Sequence, residues 1–450
     1  MEGPGSEVPL SDVAHTLNHH RAANPNLPRW PPSTASKPSR VACAGRRRAG
    51  HRRSRLPEKP LGPGTVFVYS GRGSQWAGMG RQLLADEPAF AAAIAELEPV
   101  FLAEAGFSLH DVIADGKELE GIEQIQLGLI GMQLALTALW RHYGVTPDLV
   151  IGHSMGEVAA AVVAGALTPA EGLRVTATRS RLMAPLSGQG TMAMLELDAT
   201  ATEALIAGYP EVTLAIYASP RQTVIAGPPQ MIDELIEQVR AQNRFAGRVN
   251  IEVAPHNPAM DALQPLMRSE LADLTPRPPS TPIISTTYED LESRPAFDAE
   301  HWATNMRNPV RFQQAITHAF NGADTAHHTF IEISAHPLLT HAISETLAAN
   351  QDSAQGETDS GASYLSIGTL QRDAHDTLTF HTNFNATHTT HGPRRRTLPN
   401  RTRCYPPPPG NTASTGFPAR PRLAMRPDPT HCSASVSPIP PMAPGYGNPS

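Results

Sequence analysis

The chain has little cysteine, and the few cysteines lie far from its middle. Three are present among 450 residues: Cys43, Cys404 and Cys432. All lie in the terminal regions, residues 1–63 and 391–450, so residues 64–390 have no thiol for a disulfide, a zinc site or a cysteine nucleophile. We therefore expect serine to carry any nucleophilic chemistry of the middle region, and we expect no metal site.

Long hydrophobic runs are also scarce. We find no run of about 18 apolar residues that would predict a membrane span. The N-terminus has no apolar segment typical of a signal peptide. The sequence thus predicts a cytoplasmic protein without a membrane span.

The middle of the chain carries no net positive charge. Residues 1–63 hold 11 Lys/Arg against 4 Asp/Glu, and residues 391–450 hold 8 against 1, which is +7 for each. Subtracting both from the overall charge of −6 leaves −20 for residues 64–390. A net acidic middle argues against a nucleic-acid partner.

The terminal regions contain basic triplets at 46–48 and 394–396 that could contact nucleic acid. They lack interleaved aromatic residues and any periodic apolar pattern, which favours solvated, disordered tails. Fifteen of the last 60 residues are proline, so no helix or sheet is expected there.

The segment 148–157 reads DLVIGHSMGE, an apolar run that ends on G-x-S-x-G before an alanine-rich stretch. This order predicts a strand, a sharp turn and a helix, which is the layout of a nucleophile elbow. Ser154 would be the nucleophile, with the Met155 N–H at the helix N-terminus available to an oxyanion. The alternative is that this short Gly/Ser motif occurs by chance.

Periodicity predicts two subdomains. Residues 65–69 read as a strand before a glycine-rich joint, residues 122–143 as a helix, and segments 282–286 and 329–333 as further strands. Successive βα units favour a doubly wound, mostly parallel sheet in an α/β fold. This large subdomain is expected over 64–188 and 257–345.

Residues 189–256 are predicted to form a small subdomain inserted into the large one. Strands are expected at 190–197, 212–218, 222–226 and 248–253, with helices at 200–208 and 229–242. The order βαββαβ is ferredoxin-like, and the cleft between the subdomains is the expected ligand site. Residues 346–390 are expected to form a linker, after which the tail 391–450 begins.

Seven segments together resemble the malonyl-CoA:acyl carrier protein transacylases and the acyltransferase domains of polyketide synthases. They are VFVYSGRGSQWAGMG at 66–80, Gln126 in Q-x-x-L-x-x-x-Q-x-A-L, GHSMGE at 152–157, Arg179, APHNPAMD at 254–261, NMRNPVRF at 305–312 and IEISAHPLL at 331–339. The resemblance covers roughly residues 64–385.

The resemblance implies catalytic roles. Ser154 is similar to the serine that accepts the acyl group, and His256 to its general base. A backbone carbonyl is expected to orient that histidine, and Asn305 matches the residue that supplies it. The N–H groups of Arg72 and Met155 would form the oxyanion hole; Arg72 stands where the family usually has glutamine. Without the resemblance, His256 would be an ordinary loop histidine.

The resemblance also implies substrate contacts. Arg179 matches the arginine that holds the carboxylate of the malonyl unit, which a planar guanidinium can bind through two parallel bonds. Because Arg174 and Arg181 share its helix, a solvated basic face is the alternative. Gln126 resembles a residue beside the acyl group, or is an ordinary buried helix glutamine.

The segment 253–256 reads V-A-P-H and resembles the four-residue motif that selects the acyl group in polyketide acyltransferases. Val253 and Pro255 are therefore expected to contact the substrate. The small residue before His256 favours methylmalonyl over malonyl, although one methyl group is worth only about 1–3 kcal/mol of discrimination.

The implied reaction moves a malonyl or methylmalonyl group from CoA to the phosphopantetheine thiol of an acyl carrier protein, in polyketide or fatty acid and lipid biosynthesis. No bound cofactor is expected; a ketosynthase of a parent synthase is a further expected partner. The alternatives are a serine hydrolase, which shares the elbow, and a catalytically silent fragment.

The silent-fragment alternative arises from the ends of the chain. Residues 8–21 resemble the start of a ketosynthase–acyltransferase linker, but the pattern is lost from residue 22 to about residue 61, and again after about residue 391. We therefore interpret the chain as a fragment of a larger synthase whose reading frame is disturbed at both ends.

Overall fold

A computed structural model describes residues 64–321, 329–354 and 364–390 of the chain. The tails predicted at 1–63 and 391–450 lie outside these ranges. Two short strands begin the fold: β1 (Thr65–Tyr69) and β2 (Leu149–Gly152). Both are buried along their whole length and pair in parallel, from Val66 opposite Leu149 to Tyr69 opposite Gly152.

The large subdomain is built on one parallel sheet. Its other strands are β7 (Ile283–Ile284), β8 (Thr329–Glu332) and β9 (Leu365–Ile367). The strand order is β7-β2-β1-β8-β9, and every pair is parallel. The predicted parallel α/β architecture is confirmed.

Helices cover both faces of this sheet. In chain order they are α1 (Arg81–Asp86), α2 (Pro88–Ala105), α3 (Leu109–Asp115), α4 (Gly121–His142), α5 (Gly156–Ala164), α6 (Pro169–Met183), α9 (Gln264–Glu270), α10 (Ala299–Arg307), α11 (Phe312–Asn321), α12 (Thr340–Ala354) and α13 (Asp376–Thr390). Phe67 and Tyr69 face one apolar core, whereas Val66 and Val68 face a second. The period of two places both faces in an apolar environment, as a doubly wound sheet requires.

The small subdomain carries an antiparallel sheet. Its strands are β3 (Thr191–Leu195), β4 (Thr213–Ser219), β5 (Gln222–Gly227) and β6 (Ala246–Arg248), and its helices are α7 (Ala199–Ile206) and α8 (Pro229–Arg240). The strand order is β4-β5-β3-β6 with antiparallel pairs throughout. This is the ferredoxin-like βαββαβ arrangement that the sequence predicts.

The last strand of this subdomain is shorter than the prediction of 248–253. The N–H of Ile251 bonds the carbonyl oxygen of Val249 at 2.9 Å. A bond between residues two apart closes a three-residue turn, so the chain leaves the sheet there. It then runs toward His256.

The two subdomains are joined by backbone hydrogen bonds at the edge strand β4. The N–H of Tyr217 donates to the carbonyl of Val310 at 2.9 Å, and the N–H of Val310 donates to that of Ala215 at 2.8 Å. Paired main-chain bonds restrict the small subdomain relative to α11, which begins two residues later.

Part of the predicted linker 346–390 belongs to the large subdomain. β9 lies in the sheet beside β8. On α13, the ring centroid of Phe380 lies 5.0 Å from that of Trp140, in an edge-to-face contact. The indole N–H of Trp140 also donates to Thr369 Oγ1 at 3.0 Å. The linker prediction was wrong for these residues because α13 and α4, whose buried aromatic side chains are in contact, are distant in sequence.

Helix α4 differs from the expectation that the chain has no long apolar run. Among the described residues it is long and apolar enough to cross a membrane, by length and composition. However, 78% of its apolar window is buried inside the protein. Since Gln126, Gln133 and Thr137 are also among its buried residues, α4 fits a core helix packed against other parts of the chain.

Candidate active site

The predicted elbow is formed where β2 meets α5. Ser154 has a φ of 55°, in the left-handed region that costs a non-glycine residue free energy. A Cβ on Gly152 would lie 2.1 Å from Glu157 Cα, and one on Gly156 would lie 2.2 Å from the Tyr69 carbonyl oxygen. Both glycines are therefore required by close backbone contacts, which hold Ser154 at the tip of the turn.

Ser154 lies in contact with the predicted base. Its Oγ is 2.6 Å from His256 Nε2, and His256 is 1% exposed. The other ring nitrogen, Nδ1, is 2.8 Å from the backbone carbonyl oxygen of Asn308. Because a carbonyl only accepts, Nδ1 carries the proton and Nε2 keeps a lone pair for the serine hydroxyl.

The prediction gave this carbonyl to Asn305, but the carbonyl oxygen at 2.8 Å from Nδ1 is that of Asn308, three residues later. Asn308 ends α10 in an extended conformation with φ −72° and ψ 152°, as expected before Pro309. Proline cannot continue the helix, so the Asn308 carbonyl is free to accept from the imidazole. The N-P pair at 308–309 is the sequence signal that identifies it.

Burial keeps the imidazole neutral. Burial first, and then the nearby positive charge of Arg179, lower the pKa of His256 to about 3, whereas the Asn308 carbonyl acts in the opposite direction. The Asn305 carbonyl adds a smaller effect in that same upward direction. A neutral imidazole is the form that can accept the Ser154 proton.

Arg179 is the buried cation of the site, at 2% exposed. Its Nη1 donates to Asn305 Oδ1 at 2.8 Å, and its Nη2 lies 3.5 Å from Ser154 Oγ. Its Nε has no hydrogen-bond partner in the described part of the chain. Burial lowers the pKa of Arg179 to about 10, against the opposing effect of Glu157, so it stays a cation at neutral pH.

The other two arginines of α6 differ. Arg174 donates to Asp273 at 2.9 Å, and Arg181 pairs with Glu270. These pairs lie at the surface. The solvated basic face therefore describes Arg174 and Arg181, but not Arg179.

Glu157 was not singled out as a site residue by sequence reasoning. It is completely buried, and its carboxylate accepts from Ser285 Oγ at 2.5 Å, Thr286 N at 3.2 Å and Thr287 Oγ1 at 3.2 Å. Asn305 Nδ2 also lies 3.3 Å from it. Its position as the last residue of GHSMGE is the one signal in the sequence.

The other predicted substrate residues are Gln126, which contacts the neighbour of Arg179, and Val253 and Pro255, which lie close to His256 in sequence. Gln126 is buried, and its Oε1 accepts from the hydroxyl of Ser180, the neighbour of Arg179, at 3.0 Å. Val253 is 4% exposed, whereas Pro255 is half-buried. Their contact with an acyl group stays a prediction.

The predicted oxyanion loop lies against the elbow. A Cβ on Gly71 would be 3.7 Å from Ser154 Cβ. The side chain of Arg72 points elsewhere and pairs with Glu252 at 3.0 Å. The role of the Arg72 and Met155 N–H groups also stays a prediction.

Two cavities lie outside the Ser154–His256–Arg179 cluster. One of about 720 Å³ is lined by the 278–284 and 291–297 segments and α11, near the amino ends of β2 and β7. Another of about 450 Å³ lies between the subdomains and is bordered by Val253 and Met260. Within the described ranges no group of three or more His, Cys, Asp or Glu residues could hold a metal ion.

Comparison with known families gives an independent result. The profile of the acyl transferase domain matches residues 66–393. The chain is 74% identical over 397 residues to one of the phenolphthiocerol/phthiocerol polyketide synthase subunits of Mycobacterium tuberculosis, covering 86% of this chain and 17% of that relative. It is 70% identical over 420 residues to another of these synthase subunits from the same species, covering 92% and 26%.

The chain thus spans about a fifth of these relatives' length. The 420-residue match is longer than residues 64–390 and includes part of the terminal regions. Among solved structures, the acyltransferase domain of the polyketide synthase PpsC of M. tuberculosis superposes with a TM-score of 0.65 at 80% identity. That match covers 70% of this chain and 93% of the solved one.

Proposed function

The chain belongs to the acyl transferase domain family, and we propose that it moves a malonyl or methylmalonyl group from CoA to the phosphopantetheine thiol of an acyl carrier protein. It is an acyltransferase of the polyketide synthase type. The observation that carries the finer proposal is Arg179, a buried cation whose Nη2 lies 3.5 Å from Oγ of the nucleophile Ser154 and whose buried Nε has no hydrogen-bond partner among the described residues.

The first half-reaction loads the serine. His256 Nε2 takes the proton from Ser154 Oγ as the oxygen attacks the thioester carbonyl. Charge collects on the carbonyl oxygen, for which we propose the N–H groups of Arg72 and Met155 as donors. The C–S bond then breaks, and the departing CoA sulfur receives the proton from Nε2.

The second half-reaction reverses these roles. The carrier's thiol gives its proton to His256 Nε2, and the sulfur attacks the acyl-serine ester. The C–O bond breaks, and Ser154 Oγ recovers the proton. Atoms balance without any bound cofactor, so we propose that acyl-CoA and the carrier's phosphopantetheine are the only non-protein groups needed.

Arg179 would favour acyl groups that carry a carboxylate. A carboxylate on the acyl group would meet a desolvated guanidinium and form charge-assisted bonds that acetyl or propionyl groups cannot make. The positive charge of Arg179 lowers the pKa of His256. The negative charge of the substrate carboxylate would offset that positive charge. A carboxyacyl substrate therefore strengthens the base in its own complex.

We propose methylmalonyl as the preferred group, because V-A-P-H at 253–256 places no large side chain before His256. Initial rates with methylmalonyl-CoA and malonyl-CoA, compared as kcat/KM, test this preference. A preference for malonyl-CoA above about tenfold, close to the worth of one methyl group, would overturn it.

The experiment for the function is acyl labelling of the purified chain. Methylmalonyl-CoA should add one acyl group to the wild-type chain in intact-protein mass spectra, and peptide mapping should place it on Ser154. Ser154→Ala should remain unlabelled, and a thermal melt of each sample shows whether it is folded. A folded wild type that stays unlabelled would support a catalytically silent module.

A serine hydrolase would behave differently. It would turn over p-nitrophenyl esters and would not favour carboxyacyl groups. We propose instead transfer to a carrier protein in polyketide or lipid biosynthesis, in the cytoplasm, with a ketosynthase as a further partner. Appearance of acyl-carrier in the presence of added carrier protein, with little free acid, is the expected result.

A further inference from the structure

The Glu157 carboxylate lies beneath the catalytic turn and belongs to none of the steps above. Glu157 is in the first turn of α5, where the helix N-terminus favours a negative charge. Besides its bonds to the 285–287 segment, its Oε1 lies 3.2 Å from His301 Nε2. These neighbours hold an anion completely away from solvent.

Asn305 connects this anion to the substrate-binding cation. Its Nδ2 lies 2.9 Å from Thr287 Oγ1 and 3.3 Å from Glu157, while its Oδ1 accepts from Arg179 at 2.8 Å. The amide is therefore fixed from one side by the Glu157 cluster, and it orients the guanidinium from the other.

A neutral amide between the two charges has a chemical consequence. A carboxylate in direct contact with Arg179 would occupy the guanidinium edge that a substrate needs. The Asn305 side chain accepts a hydrogen bond from only one guanidinium nitrogen of Arg179, Nη1. Glu157 still compensates the buried positive charge across the amide, and an uncompensated buried cation would be costly.

We propose that Glu157 is a positioning residue for carboxyacyl recognition: through Asn305 it fixes and charge-compensates Arg179 while leaving the guanidinium open to the substrate carboxylate. This inference rests on the proposed function. It extends the specificity determinant from one arginine to the unit Glu157–Asn305–Arg179.

The test compares two thioesters that differ only in the carboxylate. For the wild-type chain and for Glu157→Gln, kcat/KM is measured with methylmalonyl-CoA and with propionyl-CoA. Glu157→Gln keeps the shape of the side chain and its acceptor oxygen but removes the charge. We expect the methylmalonyl/propionyl ratio to fall by about tenfold or more, mainly through KM for methylmalonyl-CoA, as for loss of one charge-assisted interaction.

Glu87→Gln is the matched control. Glu87 is also a buried carboxylate, 2% exposed, and it lies 2.7 Å from His381 Nε2 outside the active site. Its loss should lower the melting temperature without changing the ratio. A fall in ratio for Glu87→Gln equal to that for Glu157→Gln would mean that general destabilisation is responsible, and would overturn the proposal.

Asn305→Ala provides a second route if Glu157→Gln does not fold. It removes the amide and leaves Glu157 bonded to Ser285 and Thr286, so the same loss of ratio is expected. In the double variant the losses should not add, because the two residues act in one chain of contacts. An unchanged ratio in a folded Asn305→Ala would contradict the proposal.

The wild-type measurement separates this inference from the proposed function. If the wild type does not favour methylmalonyl-CoA over propionyl-CoA, the proposed function fails and the inference fails with it. If the wild type shows the preference and both variants retain it, the inference alone is overturned.

Discussion

At the residue scale, the site joins the strained nucleophile Ser154, the neutral base His256 and the buried cation Arg179, whose Nε has no hydrogen-bond partner among the described residues. The positive φ of Ser154, the Asn308 carbonyl on His256 and the burial of Arg179 each have an identifiable cause. The two glycines of the elbow and the proline after Asn308 are causes in the local sequence, whereas the burial of Arg179 comes from the tertiary packing of α6. Their combination predicts activity toward carboxyacyl thioesters rather than toward esters in general.

Removal of the guanidinium should reduce carboxyacyl transfer selectively. Arg179→Ala loses charge-assisted bonds to the substrate worth about 3 kcal/mol in all, which corresponds to roughly a hundredfold in kcat/KM for methylmalonyl-CoA. Propionyl transfer should fall much less. Arg174→Ala, on the exposed face of the same helix, serves as the control and should retain both activities; equal loss in the two variants would assign Arg179 a structural role only.

The acid limb of the pH profile should lie below the usual histidine range. The pKa of His256 is lowered from 6.5 to about 3 in the free protein, first by burial and then by Arg179. Since kcat/KM reports the free enzyme, acylation should stay constant as the pH falls through 6.5, down to the pH at which the protein unfolds.

The lowered pKa of His256 also makes the stability of the folded protein fall at acid pH. A buried neutral histidine binds a proton only after unfolding, so its contribution to stability is complete above pH 6.5 and is lost as the pH falls toward 3. Stopped-flow acylation, with circular dichroism at each pH, measures both. A midpoint of the rate near 6.5 in folded protein would contradict the assignment.

At the element scale, the parallel sheet brings the catalytic segments together. The Ser154 elbow follows β2, and the Arg72 loop follows β1, its neighbour in the sheet. His256 comes from the chain that leaves the small subdomain, and Asn308 follows the end of α10. Because the carboxyl ends of parallel strands meet at one edge, residues that are distant in sequence become neighbours there.

Helix α13, the last one among the described residues, should contribute substantially to folding. Phe380 is fully buried and contacts Trp140, so Phe380→Ala should cost about 3–5 kcal/mol of unfolding free energy. Leu378→Ala is the control, since Leu378 is 48% exposed on the same helix, and should change stability by less than about 0.5 kcal/mol. Urea denaturation of both variants is the measurement; equal, small effects would restore the linker interpretation of this region.

At the scale of the whole molecule, the sequence predicted the parts that local patterns encode. The β-rich run of β1, the G-x-S-x-G turn and the order of the small subdomain's elements are all local, and the fold follows them. Arg179 could be separated from Arg174 and Arg181 only by its family resemblance, because all three lie on one helix and burial depends on tertiary packing.

What the sequence did not predict depends on contacts between distant segments. The contacts of Glu157 in the site are with Ser285 and Asn305, which lie more than a hundred residues away in the sequence. The carbonyl for His256 was assigned three residues too early because helix α10 had to end before its free carbonyl could be identified. The packing of α13 on Trp140 has the same origin.

The most direct test of the account is the acyl-serine itself. Incubation of the full chain with methylmalonyl-CoA, followed by intact-protein and peptide mass spectrometry, should show one methylmalonyl group on Ser154, absent from Ser154→Ala and discharged when a phosphopantetheinylated carrier protein is added. A folded chain that carries the label on another residue, or carries an equal label in Ser154→Ala, would contradict the account.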